Sequence, residues 1–97
     1  MPTYVSLMKW TDQGIKAIKD APQRWQEQIK SLQSMGAQIK GIYACMGEYD
    51  MVAIADFPND EAAMCFLLAM SSQGNVRATA LKAFNPEEFG KVCKMLP

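Results

Sequence analysis

Residues 37–57 read AQIKGIYACM-GEYD-MVAIADF. The runs Ala37–Met46 and Met51–Phe57 have the pattern of strands, and between them Gly47-Glu48-Tyr49-Asp50 supplies Gly and Asp for a tight reversal. The stretch predicts a β-hairpin. A helix start comes directly after it: in Pro58-Asn59-Asp60-Glu61, Asn59 can cap free backbone N–H groups and the two acids sit in the first turn. That helix runs to about Ser72, Gln73-Gly74-Asn75 breaks it, and Val76–Phe84 reads as a further strand.

Working back from the hairpin, Gly36 after Met35 is a helix stop. Ile15, Ile18, Trp25, Ile29 and Leu32 recur at helical spacings before it. Pro22 is tolerated only in a first turn, so Asp20-Ala21-Pro22 ends one short helix and opens a longer one. Thr11-Asp12 starts the first of them, and Thr3–Trp10 alternates as a strand. At the far end Asn85-Pro86-Glu87-Glu88 has Asn at N-cap, Pro at N1 and Glu at N3, a capping box. Phe89, Val92, Cys93 and Leu96 form one face of that last helix.

The order is therefore β-α-β-β-α-β plus a short terminal helix: α+β, ferredoxin-like, with a four-stranded antiparallel sheet and two main helices on one face. Val5 and Leu7, with Val76, Ala78 and Ala80, are expected under the helices. Tyr4, Ser6, Met8 and Trp10, with Arg77, Thr79 and Leu81, are then expected on the opposite face. Both alternate sets of Met51–Ala55 are apolar, and strands apolar on both sides are normally covered on both sides. Ala62–Met70 contains no polar residue, which predicts a helix buried all round. A chain of 97 residues has no second domain to cover these surfaces. A second copy of the same chain is the expected cover.

Composition removes several classes of function. Ten Lys+Arg balance ten Asp+Glu with no basic run, so nucleic acid is not an expected partner. No apolar stretch spans a bilayer and the start lacks a signal-peptide pattern, so neither a membrane nor secretion is expected, and the cytoplasm is the expected compartment. There is no histidine, which excludes His-ligated metals and His-dependent nucleophilic catalysis. No metal site and no cofactor are expected. Cys45, Cys65 and Cys93 have no metal-knuckle spacing and are expected as buried small hydrophobes.

Candidate ligand contacts are Tyr4, Ser6, Tyr43, Arg77 and Thr79, polar groups on a mostly apolar face. Arg77 can pair with an anionic ligand, or alternatively with Glu48, Asp50 or Asp56. Glu48, Tyr49 and Asp50 place two carboxylates and a phenol on one turn, as candidate binding or proton-transfer groups or as ordinary turn residues.

Four short motifs stand in order along the chain: Tyr4-Val5-Ser6-Leu7, Lys9-Trp10-Thr11-Asp12-Gln13-Gly14, Gly47-Glu48-Tyr49-Asp50 and Gly74-Asn75-Val76-Arg77. With them the chain resembles the GYD-domain family over nearly its whole length, as a single domain of residues 1–97. The resemblance implies a ferredoxin-like fold of the dimeric α/β-barrel kind and brings no established activity. The expectation is a small homo-oligomer that binds a small anionic or aromatic molecule on the sheet face or at the subunit interface. The alternative is a cofactor-independent enzyme, monooxygenase-like or isomerase-like, with Arg77 orienting an anionic substrate.

Overall fold

The computed structural model describes residues 1–97. Strand β1 (Thr3–Trp10) leads through a short helix α1 (Asp12–Lys16) and a 3-10 turn (Ile18–Asp20) into α2 (Ala21–Ser34). The hairpin β2 (Gln38–Ala44) and β3 (Met51–Asp56) comes next, then α3 (Asp60–Ser72), β4 (Val76–Ala83) and α4 (Pro86–Lys94). The helix starts use the chemistry their sequences offer. Thr11 caps α1, Asn59 caps α3, and Asn85 with Glu88 completes a reciprocal capping box on α4. Pro22 sits in the first turn of α2.

The four antiparallel strands lie in the order β2-β3-β1-β4, the ferredoxin-like arrangement. The register sorts the sheet into cross-strand rows. Under α2 and α3 run Ala44–Met51–Met8–Ala78, then Ile42–Ala53–Ser6–Ala80, then Ile39–Ala55–Tyr4–Lys82. The opposite face carries Tyr43–Val52–Leu7–Thr79, and beyond it Ile54–Val5–Leu81. A bulge between Ile39 and Gly41 keeps β2 in phase with β3.

This corrects the expected faces of β1. Val5 and Leu7 are on the open face with Arg77, Thr79 and Leu81, while Tyr4, Ser6, Met8 and Trp10 are on the covered face with Val76, Ala78 and Ala80. Val5 pairs with Leu81 and Leu7 with Thr79, and paired residues share a face.

The core divides into two clusters. One gathers Leu32, Ala37, Ala55, Phe57 and Ala63; the other gathers Met8, Met51, Met70 and Val76. Between them lies the row of small residues Ala53, Ser6 and Ala80, and Phe66 of α3 touches both clusters across it.

Two of the sequence motifs make one clamp at the end of β1. Thr11 donates from its N–H to the Asn75 carbonyl at 3.1 Å, and from its hydroxyl to the Gly74 carbonyl. The Gln13 amide donates to Gln73 and to the Asn75 side chain, both at 3.0 Å. Gly14 is required for this closure, because a Cβ there would stand 2.0 Å from the Asn75 carbonyl oxygen.

Only 11 of the 97 residues are buried, so the helical layer leaves much apolar surface open. On α3 only Ala63 and Met70 are buried, while Met64 and Leu68 are 56% and 60% exposed. All three cysteines are exposed, against the expectation that they would be buried. They lie beside the hairpin turn, on α3 and on α4. No helix is long and apolar enough to cross a membrane.

Candidate functional site: a cavity under helix α3 and an open sheet face

The row of small side chains has a direct consequence. Ser6 and Ala80 face each other across β1 and β4, and neither reaches up to α3. A cavity of about 340 Å³ remains there, lined by Ser6 and Ala80 of the sheet, by Ala63, Met64, Phe66 and Leu67 of α3, and by Phe57. Tyr4 and Phe57 meet edge to face at 5.7 Å, which fixes that wall.

The polar groups of the cavity collect at one end. Tyr4 and Lys82 are cross-strand partners, and both donate to Asp60 at the start of α3: Tyr4 from its hydroxyl, Lys82 from Nζ at 3.1 Å. The hydrogen bond to Asp60 pushes the Tyr4 phenol up to about 12. The same bond, with Lys82 second, holds the Asp60 carboxyl below the usual carboxylate range. Asp60 and Lys82 are both about half exposed, so this group stands at the mouth of the cavity, which also opens beside the exposed Met64 and Ala80.

On the open face Arg77 stands exposed on β4 and makes no ion pair. The expected structural pairing with Glu48, Asp50 or Asp56 is not formed: Asp56 pairs instead with Lys40 at 3.5 Å and accepts the Thr3 hydroxyl. The cross-strand partner of Arg77 is Lys9, whose ammonium lies 5.2 Å from the centre of the Tyr49 ring. Tyr43 sits on the same cross-strand row as Thr79, at the opposite edge of the sheet. Its ring folds back over Gly41, where a Cβ would meet it at 2.7 Å. Three strand spacings, about 14 Å, separate the two edges.

The turn Gly47–Asp50 is tied into the fold. The Asp50 carboxylate accepts the Trp10 N–H at 2.8 Å, its own N–H donates to the Met8 carbonyl at 2.9 Å, and its carbonyl accepts the Cys45 N–H at 2.8 Å. Asp50 thus locks the hairpin to the end of β1, while Glu48 extends to solvent.

The residues singled out from sequence therefore separate into three places. Tyr4 and Ser6 line the cavity, Tyr43, Arg77 and Thr79 lie on the open face, and Glu48, Tyr49 and Asp50 form the turn. Sequence reasoning missed Asp60 and Lys82. Lys82 carried a usable signal, being a charged residue in phase with Val76, Ala78 and Ala80 at the end of a strand.

The GYD domain family model matches residues 4–93, and the chain belongs to that family. A Thermus thermophilus protein named "Glutamine synthetase and cystathionine beta-lyase binding protein" is 29% identical over 84 residues, covering 86% of this chain and 88% of that protein. Among solved structures, the crystal structure of FFRP-DM1 superposes with a TM-score of 0.57 over 87% of this chain and 100% of that one, at 16% identity. That likeness supports the fold.

Proposed function

We propose that this GYD-domain protein is a binding protein that pairs with a second copy across the open face of its sheet and holds other molecules on the resulting assembly. The observation that carries the reading is the open face itself. Val5, Leu7, Val52, Ile54 and Leu81 form one continuous apolar patch on a molecule only 19 Å across its thinnest axis. Patches of this kind on small domains mark association surfaces. Two copies related by a two-fold axis would lay the patch against itself and exclude water from both.

Pairing also gives the open-face polar groups a role. Arg77 has no carboxylate partner in its own chain, and Tyr43 lies a full sheet width from Thr79. A small anionic or aromatic ligand held between the copies would meet Arg77 and Thr79 from one sheet edge and Tyr43 from another. The name of the Thermus thermophilus relative supports a protein partner as well. Outward surface remains for one: Met64 and Leu68 lie on α3, on the other side of the sheet from the open face, and are exposed.

Light scattering after size exclusion tests the pairing. A dimer or larger assembly that Val52→Asp converts to a folded monomer supports it, and a monomer at micromolar concentration for the unaltered chain overturns it. Titration into purified glutamine synthetase and cystathionine β-lyase tests the protein partner. Saturable binding that Met64→Glu or Leu68→Glu weakens supports the helical docking surface, and no binding to either enzyme removes that part of the reading.

A further inference from the structure

We infer that the cavity under α3 is a site for a small zwitterion with an apolar body, of the size and chemistry of an apolar α-amino acid. Such a site adds a ligand class to the binding role proposed above. It does not depend on pairing, since the cavity and the open face lie on opposite sides of the sheet.

A volume of about 340 Å³ is at the small end of the range for organic ligands, about 300–1,000 Å³. The walls decide the body of the ligand. Phe57, Ala63, Met64, Phe66, Leu67 and Ala80 give it only carbon and thioether contacts, so the buried part must be apolar. Ser6 on the floor makes no side-chain hydrogen bond within the chain and leaves room for one weak polar contact.

The mouth decides the head. Asp60 and Lys82 stand 3.1 Å apart, with the Tyr4 hydroxyl on the same carboxylate. A ligand bearing only a carboxylate gains Lys82 but must sit beside the Asp60 carboxylate. A ligand bearing only an ammonium gains Asp60 but must sit beside Lys82. In each case the like charge cancels much of the attraction. A head with both charges close together satisfies both: its ammonium goes to Asp60, which keeps the Tyr4 hydroxyl, and its carboxylate to Lys82, with opposite charges adjacent throughout. The existing Asp60–Lys82 pair is half exposed, so opening it to admit such a head costs little.

Three probes with one apolar body make the test: L-phenylalanine, 3-phenylpropanoate and 2-phenylethylamine, titrated by calorimetry and by amide chemical shifts. The expected result is saturable binding of L-phenylalanine at least tenfold tighter than either singly charged analogue, with shifts centred on Ser6, Leu67 and Ala80. Asp60→Asn is expected to abolish the advantage over 3-phenylpropanoate, and Lys82→Met the advantage over 2-phenylethylamine. Ala80→Phe fills the floor from an exposed position and is expected to abolish binding of all three.

Equal affinity for the zwitterion and either analogue overturns the inference, as does the absence of binding at millimolar L-phenylalanine. Shifts confined to residues outside the cavity overturn it too, and need no variant. Val52→Asp keeps this test separate from the pairing: a monomeric Val52→Asp chain is expected to bind L-phenylalanine as the unaltered chain does.

Discussion

On the covered face of the sheet the row Ala53–Ser6–Ala80 is small, and Phe66 of α3 reaches across it between two core clusters. On the open face the neighbouring row Tyr43–Val52–Leu7–Thr79 is larger, and neither α2 nor α3 lies over it. The side that already has a cover is the side with a void, and the side without a cover has the bulk to fill an interface. A sheet therefore does not show by its apolar content which face its own helices take. The difference lies in side-chain size: small residues let helices approach and leave gaps, whereas large ones wait for a flat partner.

The largest effect expected from breaking this contrast is on the covered side. Phe57 is 4% exposed and joins Tyr4 and Phe66 at the wall between core and cavity. Phe57→Ala should lower unfolding free energy by about 3–5 kcal/mol, measured by urea denaturation, because the neighbouring void offers nothing to refill the space. The loss should not depend on protein concentration. A loss under about 1 kcal/mol would mean that α3 settles into the cavity instead of bridging it.

The open face should answer differently. If copies pair there, melting temperature rises with concentration for the unaltered chain, and Val52→Asp removes that dependence. Stability of the isolated chain should change by no more than about 1 kcal/mol, since Val52 is only partly buried and the new carboxylate can reach water. A Val52→Asp chain that unfolds outright, with no concentration effect in the parent, would show that the row belongs to the intrachain core.

A subtler effect is expected at the cavity mouth. Asp60 titrates below its unfolded value, so its contribution to stability is present above the unfolded carboxylate pKa and is lost as pH falls through the folded one. Tyr4, raised to about 12, contributes below its unfolded value near 10 and loses that contribution as pH rises toward 12. Tyr4→Phe should remove the Tyr4 effect and the larger part of the Asp60 effect: the Asp60 carboxyl, tracked by NMR, moves up, with Lys82 still holding it below the ordinary range. An unchanged Asp60 titration would assign its depression to Lys82 alone.

These contrasts also explain what could be read from the sequence. The elements, their order and their caps were legible, because Pro22, Asn59, Gly47 and the Asn85–Glu88 box act through local backbone chemistry. The facing of β1 was not. Tyr4, Met8 and Trp10 alternate with Val5 and Leu7, so both phases are apolar, and a one-residue shift exchanges the faces without any local penalty. That ambiguity set Tyr4 and Ser6 beside Arg77 and Thr79, when the register places a sheet between them. The strand phase of Lys82 was a local signal, but its meeting with Asp60 was not legible, because that depends on how α3 crosses β4, a long-range event. The burial of α3 on every side was inferred from composition alone, and its outer row of Met64 and Leu68 is open in a single copy.

The smallest effect sits at the rim of the open face, where it can report on pairing. Asp56, opposite Thr3 in the register, is held low first by the Thr3 hydroxyl and then by Lys40. Lys40 is 54% exposed while Asp56 is 16% exposed, so the ion pair at 3.5 Å is largely screened on its lysine side. In dilute solution Lys40→Ala should cost no more than about 0.5 kcal/mol. Because the Asp56 pKa is depressed, any cost is present at neutral pH and disappears as pH falls through the folded value. If a second copy closes over the neighbouring rows, water leaves this rim and the same pair strengthens. The cost of Lys40→Ala should then grow with protein concentration in the parent background and stay constant in Val52→Asp. A cost that is the same at every concentration would place the interface elsewhere than on this face.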